Sequence, residues 1–371
     1  MEKILISLKD KSYPVYVGNS ILEQLTYLVD GHNLPKNIFV IVDESLMDVW
    51  GPKIKNIFFD ENYKRHLYFL KPGEHSKSYL ELNKIYSSLI NNNFGRDTLI
   101  AAVGGGVTGD LAGFAASTFM RGVNLIQVPT TLLAMVDSSI GGKTGINFSK
   151  TKNMIGTFYQ PQFVFIDTKF LDTLPQKELL SGLGEVIKYA YLSDENFYSF
   201  VKKNFDKLIR KENESINYVV TKSAIIKASV VSHDEKESGL RQILNLGHTF
   251  AHAFETELNF KIKHGEAVIA GIISAIYLSR NMNIVNDSTL TNLISLTAKV
   301  KLPKQLAKIN FENVYKIMLL DKKNRNGRIK FVLIKNIGEV LLGVESGKPE
   351  IFSALKMMIN FISKESSNNW I

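Results

Sequence analysis

The sequence predicts an α/β N-terminal domain built on a parallel sheet, followed by a mainly α-helical C-terminal domain. Three observations carry this. Up to about Thr168, short apolar runs alternate with segments of helical spacing, the pattern of a parallel sheet covered on both faces. One run, residues 99–103, breaks into Gly104, Gly105 and Gly106 and resumes as a small-residue helix. From Leu171 onward, apolar residues recur almost everywhere at spacings of three and four. A chain of 371 residues exceeds one ordinary core, and the texture change places the boundary near residue 170, giving domains 1–170 and 171–371.

The elements follow in order. Residues 3–8 and 13–17 read as a hairpin across Lys9-Asp10-Lys11-Ser12. Ser20 is placed to cap a helix with Ile21, Leu25 and Leu28 on one face. Residues 37–42, NIFVIV, suit a strand buried on both faces. Asp43 sits at its C-terminal edge, where open α/β sheets bind ligands. It can contact a ribose or cap the next helix, and the cap is the simpler reading. Residues 66–70 are a strand, and the Pro72–Lys77 turn (PGEHSK) leads into a helix through Asn91. Strands at 99–103, 125–128 and 163–166 complete the sheet. Helices are expected at 182–192, 197–209, 218–231, 243–258, 267–280 and 290–298. A late hairpin pairs 329–334 with 340–344, a final helix spans 350–362, and residues 363–371 read as a frayed tail.

Composition narrows the function. Apolar residues make up 45% and charged residues 22%, a soluble globular balance. No apolar run reaches the roughly 18 residues of a membrane helix. The first residues lead straight into a strand, so no signal sequence is expected. Cysteine is absent, which excludes disulfides, thiolate metal sites and a cysteine nucleophile. A cytoplasmic location is expected. The formal charge of +9 comes from lysines spread along helices. That spread does not point to nucleic acid or a membrane, and it suits an anionic small substrate.

Three constellations carry chemistry. The turn GGGVTGD lies between strand and helix, where backbone N–H groups can meet a phosphate. It lacks the G-x-G-x-x-G spacing, so a packing role stays open. Four of the seven histidines, His233, His248, His252 and His264, fall in one 32-residue window. His248 and His252 share a helix face at i, i+4. His264 opens a helix in HGEAV, where the helix dipole is expected to hold the ring neutral. Two histidines and a carboxylate with an open position form a catalytic zinc arrangement, with Glu185, Glu255 and Glu266 as candidate carboxylates. Ordinary hydrogen-bonded histidines are the alternative. Finally, Asp137, Lys143, Lys152 and Asn153 are polar residues among small or apolar neighbours. Lys188 follows Glu185 by one helical turn. Arg241 and Asn245 lead to His248, so one helix could present Arg, Asn and both histidines to an anionic substrate. A salt-bridged surface remains the alternative.

The segments PGEHSK, GGGVTGDLAGFAAS, MRG, VPTTLLAMVDSSIGGKTGIN, KNMIGTFYQP, GLGEVIKYA, DEKESGLRQILNLGHTFAHAFE and HGEAV, in this order, resemble the 3-dehydroquinate synthase family over nearly the whole chain. The resemblance implies a shikimate-pathway lyase dependent on NAD and a divalent metal, zinc or cobalt. Its substrate would be 3-deoxy-D-arabino-heptulosonate 7-phosphate. Transient oxidation, phosphate elimination, re-reduction and an intramolecular aldol step would give 3-dehydroquinate. It implies Glu185, His248 and His264 as metal ligands. It assigns the nicotinamide nucleotide to Asp43, Glu74, Lys77, Gly105, Gly106, Val107, Thr108, Gly109, Asp110, Thr130, Thr131, Asp137, Lys143, Lys152, Phe170, Leu171, Asp172, Thr173 and Glu178. Lys143, Asn153, Lys188, Arg241, Asn245 and His252 would hold the substrate, with Glu237 and Lys323 as further members. Arg121 would act across a homodimer interface. Related cyclases that make inosose or valiolone rings, and polyol dehydrogenases of similar architecture, are the alternatives.

Overall fold

The computed structural model describes residues 1–58, 64–149, 151–320 and 329–365. The chain begins with β1 (Glu2–Ile6), β2 (Tyr13–Gly18), α1 (Leu25–Gly31), β3 (Asn37–Asp43), α2 (Met47–Phe58), β4 (Lys64–Leu70) and α3 (Tyr79–Asn91). It continues through β5 (Thr98–Gly104), α4 (Gly106–Thr118), β6 (Asn124–Pro129), β7 (Lys143–Phe148), β8 (Thr151–Phe158) and β9 (Phe163–Asp167). Helices follow: α5 (Gln176–Leu192), α6 (Glu195–Lys203), α7 (Phe205–Ile209), α8 (Asn213–His233), α9 (His248–Glu257), α10 (His264–Asn281), α11 (Asp287–Thr297) and α12 (Phe311–Leu319). The hairpin β10 (Ile329–Asn336) and β11 (Glu339–Ser346) precedes α13 (Lys348–Glu365).

Two compact units result. Met1–Pro175 with Lys211–Lys236 form the first, and Gln176–Arg210 with Glu237–Ile371 form the second. In the first, a seven-stranded sheet has the order β1-β2-β9-β6-β5-β3-β4 among the described residues. Every pairing in it is parallel except β1 with β2. All seven residues of β5 are buried, which is why the segment reads as an unbroken apolar run rather than an alternation. Helix α4 buries Leu111, Ala112, Phe114, Ala115 and Ala116 against the same core. Its small residues are thus a packing requirement on several faces at once. The edge strand β4 opens on exposed Lys64, which discourages pairing with another chain.

The structure differs from the sequence reading in local places. Strands β7 and β8 pair antiparallel, which the sequence did not announce. Polar and glycine residues interrupt their alternation. Ser20 has φ 55° and does not cap a helix; its N–H instead donates to Asp167. The buried Asp167 also accepts from the N–H groups of Ile21 and Lys169. The division at residue 170 groups α8 with the helical half. In the structure α8 belongs to the first unit and packs on β1, β2 and the π-helical turn Ala134–Ser138.

The second unit is arranged around α10, which packs against α5, α9, α11, α13 and β10. Two contacts bring backbones together without side chains between them. A Cβ on Gly265 would lie 2.0 Å from the Ser181 carbonyl oxygen, and one on Gly184 would lie 2.5 Å from the Gly265 Cα. One turn and a half further along α10, a Cβ on Gly271 would lie 2.1 Å from the Gly247 carbonyl oxygen. Glycine pairs therefore set the distance from α10 to both α5 and the start of α9.

Gly265→Ala should destabilise the protein by about 3 kcal/mol or more, since backbone cannot yield as a side chain can. Gly31→Ala meets nothing within 4 Å and should be neutral or slightly stabilising. Urea midpoints of the two variants check the contrast.

Candidate functional site

The glycine approach delivers three side chains to one point. Glu185 lies on α5 one residue after Gly184, and His264 on α10 one residue before Gly265. His248 starts α9 one residue after Gly247, whose φ is 78°. The ligand atoms of Glu185, His248 and His264 all lie within 4.8 Å of one another. Glu185 is fully buried, and its Oε1 is 3.5 Å from His248 Nε2 and 3.3 Å from His264 Nε2. Its other oxygen pairs with Lys188, one turn along α5 and 2% exposed. Two imidazoles and a carboxylate converging in this way fit a divalent cation of the zinc or cobalt type.

The ring environments differ. Burial, helped by Lys188, pushes His248 down to about 3, so this ring is neutral and ready to donate a lone pair. Its Nδ1 sits 3.2 Å from the Leu246 carbonyl, which accepts the ring N–H and leaves Nε2 for a metal. At His264 burial also acts against the charge. Glu185 and Glu255 outweigh it and raise the ring to about 10. The expectation of a dipole-neutralised His264 is thereby corrected: two carboxylates override the helix terminus.

The other predicted residues of this unit separate. Arg241 and Asn245 lie on a 3-10 turn, Leu240–Asn245, and left-handed Gly247 divides that turn from α9. The four residues expected on one helix thus come from two elements. Arg241 is 2% exposed, and Asn245 donates to Glu237 at 2.9 Å. His252 is exposed, with its ring 5.5 Å from that of His248. Glu178, on α5, pairs with Lys263 of the same unit. Glu266 is occupied at the head of α10, accepting from the Lys263 N–H at 2.8 Å. His233 ends α8 and belongs to the first unit. Lys323 lies outside the described residues.

In the first unit the glycine turn meets a polar network. Gly105 precedes α4, and Gly106, Val107, Thr108, Gly109 and Asp110 form its first turns. Lys77, 4% exposed, bonds to both Asp110 and Asn153. Burial raises the Asp110 carboxyl above its ordinary range, and the Lys77 charge opposes that shift. Glu74 accepts from Asn147, which in turn accepts from the Asn153 N–H at 2.9 Å. Asn153 has φ 55°. Thr130 donates its N–H to Gly104 at 3.0 Å, and Thr131 accepts from the Ala134 N–H. Asp137 is held by Lys227, which bonds to its carboxylate at 2.7 Å and its carbonyl at 2.6 Å. Sequence reasoning missed buried Lys227; a lone lysine between Ile226 and Ala228 was the available signal.

Other predicted positions have separate surroundings. Asp43 accepts from the Ser45 N–H and hydroxyl, so it does cap the turn after β3. Phe170 and Leu171 are buried, with Phe170 against Trp50, whose indole donates to Thr173 at 2.8 Å. Asp172 pairs with Lys169. Lys143 opens β7 and Lys152 lies on β8. Arg121, exposed, sits on a turn with φ 68°.

Comparison with known proteins decides the family. The model described as 3-dehydroquinate synthase N-terminal matches residues 67–181, and the model described as 3-dehydroquinate synthase C-terminal matches residues 182–324. The chain belongs to the 3-dehydroquinate synthase family. The 3-dehydroquinate synthase of Acetivibrio thermocellus is 39% identical over 92% of this chain and 95% of its own. That of Vibrio atlanticus is 40% identical over 91% and 94%. A solved structure of 2-deoxy-scyllo-inosose synthase, complexed with carbaglucose-6-phosphate, NAD+ and Co2+, superposes with a TM-score of 0.86 at 24% identity, covering 96% of this chain and 99% of that one. That likeness shows the shared fold. The segments GLGEVIKYA and HGEAV, which lie within the second of the two matched regions, are the ones that cross at Gly184 and Gly265.

Divalent-metal uptake by the metal-free protein at pH 8 should release close to one proton, from His264. The raised ring loses its proton only as pH climbs through about 10, so release should fade above that pH. His264→Ala should lose both the metal and the proton. Calorimetry in buffers of different ionisation enthalpy reads both quantities.

Proposed function

We propose that this chain converts 3-deoxy-D-arabino-heptulosonate 7-phosphate to 3-dehydroquinate and phosphate, with NAD and one divalent metal ion. The observation that carries the reading is the Glu185–His248–His264 cluster, whose carboxylate is buried beside Lys188, in a chain of this family. When bound, the nicotinamide supplies a reversible hydride acceptor and the cation polarises substrate hydroxyls.

The chain's own residues have the remaining work. The N–H groups of Gly105 and Gly106 at the head of α4 suit a pyrophosphate. Lys77 and Asp110 hold the adjoining turn in place. Buried Arg241 is assigned the substrate carboxylate, which a guanidinium can grip bidentately. Lys188, Asn245 and His252 are assigned the hydroxyls and phosphate, as are Lys143 and Asn153. Glu237 orients the Asn245 amide by accepting from it. Lys188 also neutralises the buried Glu185, so the site does not carry an uncompensated carboxylate before the cation arrives.

Incubation with the heptulosonate phosphate and catalytic NAD should release phosphate with no accumulation of NADH. Stoichiometric NADH would mark a dehydrogenase instead. In the same assay Arg241→Ala should lower kcat/KM by about 30-fold or more, the scale of an unpaired buried charge, while leaving NAD affinity nearly intact. An equal loss of NAD affinity would contradict the carboxylate assignment.

A homodimer belongs to the same proposal, with exposed Arg121 reaching the substrate of a second copy. Light scattering should give twice the chain mass of 41.7 kDa; a monomer that turns over at full rate would remove the role assigned to Arg121.

A further inference from the structure

Three carboxylates were candidates for the metal, and they end in three different positions. Glu185 faces the Nε2 atoms of both imidazoles. Glu266 is taken up by the N-terminus of α10. Glu255 is 6% exposed, lies seven residues after His248 on the same face of α9, and places Oε2 3.6 Å from His264 Nδ1.

We propose that Glu255 is a positioning residue: it takes the Nδ1 proton of His264 as acceptor, fixes the ring's tautomer and orientation, and so presents Nε2 as a metal ligand. The inference rests on Glu185, His248 and His264 being the metal ligands. The two histidines then have matching arrangements with different acceptors. His248 gives its Nδ1–H to the neutral carbonyl of Leu246, and His264 faces a charged carboxylate. A carboxylate behind an imidazole increases the electron density at the ligating nitrogen and restricts ring rotation. The two histidines also differ in support. His248 is held by its own chain two residues back. His264 stands at the first position of α10, with its side chain 29% exposed, and the acceptor for its ring comes from another helix. Removing Glu255 should therefore free the His264 ring while leaving the His248 arrangement intact.

The test is Co2+ affinity, measured by chelator competition on protein free of nicotinamide and substrate, with the visible Co2+ spectrum recorded alongside. E255A should weaken binding about 10- to 100-fold, the range seen for such partners, and should alter the Co2+ bands. E255Q keeps an oxygen that can accept the Nδ1–H but lacks the charge, so its loss should be smaller than that of E255A. Its metal-free melting temperature should stay near wild type, which separates ligand positioning from folding. If E255A does not fold, E255Q alone decides. Co2+ affinity within twofold of wild type in both variants, or in E255Q when only that one folds, with an unchanged spectrum, overturns the proposal. H264A distinguishes the two levels. If H264A loses Co2+ while the Glu255 variants bind normally, only the positioning role fails. If H264A binds Co2+ as wild type does, the metal-ligand assignment fails and the positioning role with it.

Discussion

The backbone contact between α5 and α10 at Gly184 and Gly265 is the constraint on which the convergence of Glu185, His248 and His264 depends. Each glycine adjoins a candidate ligand, Glu185 on one helix and His264 on the other, so the close backbone approach is what brings their side-chain atoms to 3.3 Å. A side chain at either position would force the helices apart by more than a metal coordination sphere tolerates. The same device recurs where Gly271 meets Gly247, the residue before His248. Close helix packing and ligand convergence are thus one feature of the second unit. The positive φ of Gly247 adds to it by turning the chain sharply enough to start α9 on His248.

Charge in the second unit is organised around one buried carboxylate. Glu185 shares its two oxygens between Lys188 on one side and two imidazoles on the other. A buried anion is costly unless such partners surround it. Two rings on neighbouring elements then take opposite charge states: burial keeps His248 neutral, with its one proton on Nδ1, and two carboxylates favour the protonated, cationic ring at His264. Identical side chains 5.5 Å apart are distinguished entirely by what lies behind them.

In the first unit a different economy applies. The glycine turn supplies backbone N–H groups at the C-terminal edge of the sheet, and Lys77 ties Asp110 of α4 to Asn153 of the β7–β8 hairpin. Asn147 joins that hairpin to Glu74. Side chains from the turn after β4, from α4 and from the hairpin are therefore held by one hydrogen-bonded set, in which the positive φ of Asn153 is a local conformational cost.

By itself the sequence determined the parallel sheet and the helical second half. Apolar runs such as 37–42 and 99–103 are buried on both faces, and a period set by burial is visible in a single chain. Glu185, His248 and His264 were named only through the family resemblance that GLGEVIKYA, NLGHTFAHAFE and HGEAV carry, and the structure brings the three together as a possible metal site. Tertiary structure decided what depends on contacts across long separations. The β7–β8 pairing is local and was hidden by the polar and glycine residues that break its alternation, whereas the return of α8 to the first unit and the hold of Lys227 on Asp137 arise from partners far apart in the chain. The same holds for the three candidate carboxylates. Glu185, Glu255 and Glu266 are chemically alike, and spacing could not rank them. Only the crossing of α5, α9 and α10 turns one toward the ligand atoms of both rings, one toward the back of His264 and one toward a helix terminus, because a side chain's role follows from the atoms it faces.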